Sequence, residues 1–176
     1  MRVSFGLSVK EIENAVKEIR DEKARLQKKC EEFSRRLARE GMNIANAKIG
    51  ESGFGKYIHI ASEIEPKKAG CRAIFYMEDA QKIVSQWQNQ DGVQSKEISP
   101  SLMLEFGAGL KAQNPAGIPG VGTGTYGEHG DEPGWWYMDL DGQWHYASGV
   151  TPKMPMYHAA EQLSGRIAEI AREVFT

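Results

Sequence analysis

The chain has only two cysteines in 176 residues, Cys30 and Cys71. That excludes a disulfide framework and fits a reducing cytoplasm. It has no surplus of positive charge, with 22 Lys and Arg against 24 Asp and Glu and a net charge of −2. A dedicated nucleic-acid binder usually carries a clear basic excess, so sequence-specific nucleic-acid binding is not expected. No apolar run approaches the length of a membrane span, and the opening MRVSFGLSVKEIENAVKEIR lacks a signal-peptide core. A protein made in a cytoplasm, with no membrane partner, is expected. Composition is otherwise ordinary, at 40% hydrophobic and 26% charged. A single domain of this length buries ~70% of its unfolded surface and needs no covalent staples.

The charge is unevenly spread. Residues 1–40 hold 11 basic and 8 acidic side chains, 41–100 hold seven of each, and 101–176 hold 4 basic and 9 acidic. Two readings fit: solvated faces, or head-to-tail contact between identical subunits in which opposite patches meet.

Periodicity supplies the elements. Ile12, Val16, Ile19, Leu26, Cys30, Phe33 and Leu37 step by four and three, with Lys23 in the one polar slot, which predicts a long helix over 8–40. Ser8 can cap its start and Gly41 can end it. At 1.5 Å per residue it would span roughly 50 Å, so it either lies across its own sheet or projects toward another subunit. KYIHIASEI alternates, with Ile58, Ile60 and Ile64 on one side and Tyr57, His59 and Glu63 on the other, and reads as a strand. CRAIFYM reads as a second strand after the turn EPKKAG. In EDAQKIVSQWQ the residues Ala80, Ile83, Val84 and Trp87 predict a short helix, and SKEI a further strand. SPSLMLEFG predicts a short helix with Ser99 as cap, Pro100 in the first turn and Gly107 as stop.

Residues 108–134 are glycine-rich and aperiodic, which predicts a flexible loop. The segment 135–147 then holds three of the four tryptophans. Asp141-Gly142 predicts a two-residue hairpin turn with both positions at positive φ. The last helix is expected over 155–174, with Met156, Ala160, Leu163, Ile167, Ile170 and Val174 on its apolar stripe. The two long helices should pack on one face of the sheet and bury Leu26, Phe33, Leu163 and Ile167.

Candidate chemistry is sparse. GTGTYG, Gly122 to Gly127, has the spacing of a dinucleotide fingerprint but neither follows a strand nor opens a helix, and no lysine completes a phosphate loop. His129, His145 and His158, with Glu128, Asp131 and Glu132, fit no compact metal-ligand spacing, so no metal is expected. Cys30 lies on the apolar stripe, Cys71 has no activating base near it in sequence, and no serine stands at a nucleophile elbow. No cofactor and no catalytic residue are expected. The aromatic segment suits packing or partner contact, since cross-strand aromatic pairs stabilise hairpins and aromatics anchor interfaces. Trp135, Trp136, Tyr137, Trp144 and Tyr146 are the candidate interface residues, and the acids Glu128, Asp131, Glu132, Asp139 and Asp141 around them disfavour nucleic acid.

Two segments carry a family resemblance. SPSLMLEFGAGL is similar to the short helix ending in Glu-Phe-Gly of the tail-completion and head–tail joining proteins of long-tailed bacteriophages, also called minor capsid or tail-component proteins. GVTPKMPMYHAAEQL resembles the closing motif of that family, a proline-rich entry to a C-terminal helix. The matching residues are Glu105, Phe106 and Gly107, then Pro155, Met156, Tyr157 and Ala159. Where the family usually has threonine after Glu-Phe-Gly, this chain has Ala108. The order of elements matches over most of the chain. The resemblance implies one domain over 1–176 with an α+β fold: a long N-terminal helix, a small antiparallel sheet with a hairpin, and a C-terminal helix packed on the sheet. It implies a non-enzymatic virion protein that forms a homo-oligomeric ring, a hexamer, and meets tail-tube and connector proteins at the head-proximal end of the tail. A phage cell-wall hydrolase or an aromatic glycan-binding module is the competing class.

Overall fold

A computed structural model describes residues 8–68, 70–89, 91–108, 111 and 135–176. The fold is α+β. Helix α1, Val9–Gly50, is followed by strands β1 (Ile58–Lys67), β2 (Gly70–Asp79), β3 (Ile83–Asn89) and β4 (Gly92–Ile98). Helix α2 (Pro100–Phe106), strands β5 (Trp135–Met138) and β6 (Trp144–Ala147), and helix α3 (Pro155–Phe175) complete it. The expected loop over 108–134 lies outside the described residues except for Ala108 and Lys111.

Helix α1 starts where the sequence predicts. Ser8 accepts the Glu11 backbone N–H on its hydroxyl, and the Glu11 carboxylate accepts the Ser8 N–H, closing a capping box. It does not stop at Gly41. It runs 42 residues, about 63 Å at 1.5 Å each, to Gly50. Gly41 is a packing residue: a Cβ there would sit 2.8 Å from Leu163 Cδ1 and 2.9 Å from Phe75 Cζ. Helix α3 and strand β2 therefore both press on α1 at this point. The residues that α1 buries are mostly small: Ala15 near its start, then Ser34, Ala38, Gly41 and Ala45, ending in Ile49. Helix α3 runs antiparallel to α1, fixed by the edge-to-face rings of Phe33 and Phe175, the Arg36–Glu173 ion pair at 3.2 Å and the Glu40–Arg166 pair.

The expected core is corrected at two positions. Leu26 and Ile167 are each 46% exposed, whereas Leu163 is buried and Phe33 half-buried. Leu26 lies on a part of α1 that α3 does not reach. On α3 the buried line is Pro155, Ala159, Leu163, Ile170 and Val174, and Ile167 falls at its edge. The heptad period is present, but only its C-terminal part meets the body.

Strands β1 and β2 pair antiparallel from Ile58↔Asp79 to Lys67↔Gly70 and lie along the second half of α1. At the hairpin tip the Gln27 amide donates to the Gly70 carbonyl at 3.1 Å. Tyr57, expected on the face opposite Ile58, is buried with it, because it precedes the strand and joins the core cluster. The segment expected as a short helix is strand β3. Its β-branched Ile83 pairs with Ile98, and Ile83 and Ser85, two apart, are both buried, so the working period is two. A second sheet forms in the order β4-β3-β5-β6, antiparallel throughout. The core sits where the end of α1, the start of β1, β3–β4 and α2 meet: Ile49, Tyr57, Ile58, Ile83, Ile98, Met103, Leu104 and Ala108.

Candidate functional site: the motif junction and the aromatic hairpin

The two segments that carry the family resemblance fold into one structure. Helix α2 forms as its local signals dictate: the Ser99 hydroxyl accepts the Leu102 N–H, Pro100 occupies the first turn and Gly107 ends it at φ +76°. A second cap comes from Asp79 at the end of β2, whose carboxylate accepts the Ser101 N–H at 2.8 Å and the Lys82 ammonium at 2.6 Å. Burial pushes the Asp79 carboxyl up, but the bonds from Lys82, Ser99 and Ser101 outweigh it and hold the group below the ordinary range.

Glu105, in the last turn of α2, does for α3 what Asp79 does for α2. Its two oxygens accept the backbone N–H groups of Met156 (2.9 Å) and Tyr157 (2.8 Å). The α3 N-cap residue, Met154, is in the left-handed region (φ 48°, ψ 51°) and its side chain makes no capping bond. A buried carboxylate from 51 positions earlier fills that role and meets the positive end of the helix dipole. Burial raises the Glu105 carboxyl above its usual range, against the pull of the two N–H donors and His158.

Gly107 is required by its surroundings. A Cβ would meet the Val150 carbonyl oxygen at 2.6 Å and Pro152 Cδ at 2.8 Å. Ala108 and Val150 exchange backbone hydrogen bonds of 2.9 and 3.2 Å, and the Lys153 N–H donates to the Leu104 carbonyl at 2.8 Å. Pro155 and Ala159 are fully enclosed. The resemblance residues thus converge: Glu105 and Gly107 on one side, Pro155, Met156, Tyr157 and Ala159 on the other, with half-buried Phe106 beside them. Beside the junction opens an apolar groove of about 470 Å³, lined by Phe75, Met77, Leu102, Phe106, Met154 and Met156 among others.

The aromatic hairpin is present, with a different turn from the one expected. The Asp139 N–H donates to the Gln143 carbonyl and the Gly142 N–H to the Asp139 carbonyl. Gly142 alone in the turn has positive φ, at +77°. This is a three-residue loop, Leu140 to Gly142, in which a single left-handed glycine suffices. The Asp139 carboxylate accepts the Asp141 and Gln143 N–H groups, each at 2.9 Å, and pairs with His145 Nε2 at 2.8 Å. The bond from the Gln143 backbone, then His145, hold the Asp139 carboxyl below its ordinary range. Asp139 and His145 therefore form a turn brace.

The two faces of the hairpin differ. Cross-strand pairing puts Trp136 opposite Tyr146 and Met138 opposite Trp144 on one face. Trp136, Trp144 and Tyr146 are exposed there, at 50%, 41% and 54%, with the Trp136 and Tyr146 rings edge to face at 5.5 Å. Tyr137 and Ala147 turn inward onto the core cluster. Of the candidate interface residues, Tyr137 is thus half-buried packing, and the side chain of Trp135 lies outside the described residues. A cleft of about 350 Å³ opens between the hairpin and the turn after α1, lined by Phe54, Met103, Tyr137, Tyr146 and Lys153 among others.

Glu128, His129, Asp131, Glu132 and the GTGTYG stretch lie outside the described residues. Among the described residues no group of three or more His, Cys, Asp or Glu is arranged to hold a metal ion, and no helix is long and apolar enough to cross a membrane. Sequence reasoning missed Asp79 and Gly41. Asp79 sits just beyond an apolar strand with nothing local to mark it, and Gly41 looks like a helix stop. No family model, curated protein or solved structure matches the chain.

Proposed function

We propose that this chain is a structural protein of a long-tailed phage virion, a tail-completion or head–tail connector subunit. It is made in the host cytoplasm and acts by assembly rather than catalysis. Copies form a ring, a hexamer, at the head-proximal end of the tail and offer surfaces to tail-tube and connector proteins. The observation that supports this reading is the Glu105 junction: the two sequence segments that resemble the family are bonded to each other through a buried carboxylate. A resemblance by chance would have no reason to bring its two halves together. The exposed Trp136, Trp144 and Tyr146 face suits a docking role, because exposed aromatic patches mark partner contacts.

The test is complementation of a phage lacking this gene, with particles viewed by electron microscopy. The wild-type chain should restore joined heads and tails. Trp136→Ala and Trp144→Ala should fold, by circular dichroism, yet leave unjoined heads and tails or fewer rings. Normal joining in the absence of the gene would remove the reading. The same exposed aromatics would suit a glycan-stacking module, and saturable quenching of tryptophan fluorescence by cell-wall oligosaccharides would favour that class instead.

A further inference from the structure

We propose that the first half of α1 is a dimerisation arm that pairs antiparallel with the same arm of a second copy. The inference does not depend on the virion reading. Among the described residues, the β1–β2 hairpin reaches α1 at Gln27 and α3 reaches it at Phe33; in the stretch before them Ala15, which lies off the apolar stripe, is buried. The preceding stretch, Val9 to Leu26, is about 27 Å long at 1.5 Å per residue. It carries Val9, Ile12, Val16, Ile19 and Leu26 on one stripe, each between 41% and 74% exposed. Their steps of three and four put Val9, Val16 and Lys23 at heptad position a and Ile12, Ile19 and Leu26 at position d. A stripe with this period on a straight helix is matched by another helix, and the copy of itself is the partner of equal length.

Charge selects the direction. A parallel, in-register pair would stack Lys23 on Lys23 in the seam, with Glu13 facing Ser8 and Arg20 facing Ala15 at the flanks. An antiparallel pair sets Val9 against Leu26, Ile12 against Lys23 and Val16 against Ile19. It then places Glu13 of one copy beside Arg20 of the other, twice by symmetry. The groove beside the arm points the same way. It measures about 460 Å³ and is lined by Ile19, Leu26 and Cys30, with Glu22, Lys23 and Lys68 as its charged residues, one acid against two bases. In the antiparallel register it receives the first turns of the second copy, which carry Glu13 at a position flanking the seam. In the parallel register it would receive the same stretch of the second copy, with Lys23 in the seam and Glu22 at its flank, so that like charges meet. The register that overlaps the whole arm brings Ser8 of one copy level with Gln27 of the other, where each body begins. The two bodies then lie at opposite ends of the paired arms. The contact is isologous and closes at two copies, whereas a head-to-tail ring contact is heterologous.

The test is sedimentation equilibrium of the full chain across a wide concentration range. Wild type should show a monomer–dimer equilibrium, and Ile19→Glu, at the centre of the seam, should weaken it at least tenfold with helicity retained. Glu13→Arg and Arg20→Glu should each weaken it, and the double swap should restore it, because only the antiparallel pairing joins these two positions. Lys23→Ile should tighten it. A wild-type monomer at every concentration overturns the proposal, as does a dimer indifferent to Ile19→Glu. Failure of the double swap to restore pairing overturns the antiparallel assignment. So does a dimer linked through Cys30 on mild oxidation, since antiparallel arms hold the two Cys30 sites about 37 Å apart.

Discussion

Replacing Glu105 with Gln tests the central feature of the fold. The side chain keeps its shape and one acceptor oxygen, but the other becomes an NH₂ group. That group faces either the Met156 or the Tyr157 N–H, each now within 3 Å of an acceptor oxygen. One buried donor then lacks a partner, at a cost of about 1–3 kcal/mol. The loss of negative charge at the α3 N-terminus adds about 0.3–1 kcal/mol. Removing a charge that burial disfavours offsets part of this, because the Glu105 carboxyl is raised above its ordinary 4.5. The net expectation is a loss of about 1–3 kcal/mol. At about 2–4 °C per kcal/mol for a chain of this size, the melting temperature should fall by several degrees. Glu105→Ala loses both acceptors and should cost more. The pH dependence supplies a second readout. With the folded pKa above the unfolded one, the folded chain holds this proton to higher pH. The contribution of Glu105 is therefore full below the unfolded pKa and is lost as pH rises through the folded one. Asp79 and Asp139, held below their ordinary range, act in the opposite sense in both proteins, so the readout is the difference: in chemical denaturation from acid to neutral pH, wild type should lose stability relative to Glu105→Gln as pH rises. A variant as stable as wild type at neutral pH, with the same pH profile, would refute the capping argument.

Other outcomes follow from the packing. Gly41→Ala gains roughly 1 kcal/mol of helix propensity but forces a methyl against Leu163 and Phe75, which typically costs about 1–3 kcal/mol, so the variant should be neutral to destabilised in urea unfolding. Leu163→Ala should cost about 2–5 kcal/mol, while Ile167→Ala, at the exposed edge of the same helix, should stay within about 1 kcal/mol of wild type. Equal effects at the two positions would mean that α3 is rotated from the orientation described.

What was legible in the sequence was local. Ser8, and Ser99 with Pro100 and Gly107, signal helix ends through groups a few residues apart, and these ends stand as read. The β1–β2 hairpin was legible from alternation. Strand β3 was not, because Ala80, Ile83, Val84 and Trp87 suit a helical stripe equally well. Only the pairing of Ile83 with Ile98, a tertiary fact, selects the strand. Gly41 was misread for the same reason: a glycine after a helical run signals a stop unless a neighbour needs the space, and Leu163 lies 122 positions away. The stripe on α1 was read correctly as a period, with burial on the sheet and projection both open, but Leu26 was wrongly placed in the core, since period says nothing about how far the covering helix extends. Glu105 was picked out by resemblance, but its role as a cap for α3 lies in three-dimensional proximity alone.

The carboxylate caps on α2 and α3 also set how the chain opens. First-turn amides of a helix lack carbonyl partners and ordinarily trade their hydrogens with water quickly. In α1, where the cap at Ser8 is exposed, Glu11 should follow that habit. Met156 and Tyr157 should not, nor should Ser101, because their hydrogens are held by the buried carboxylates of Glu105 and Asp79. Their release requires α3 to part from α2, or α2 from the end of β2. Slow deuterium uptake at these three amides would mark α2, α3 and the end of β2 as one cooperative unit, while the arm of α1 exchanges ahead of it.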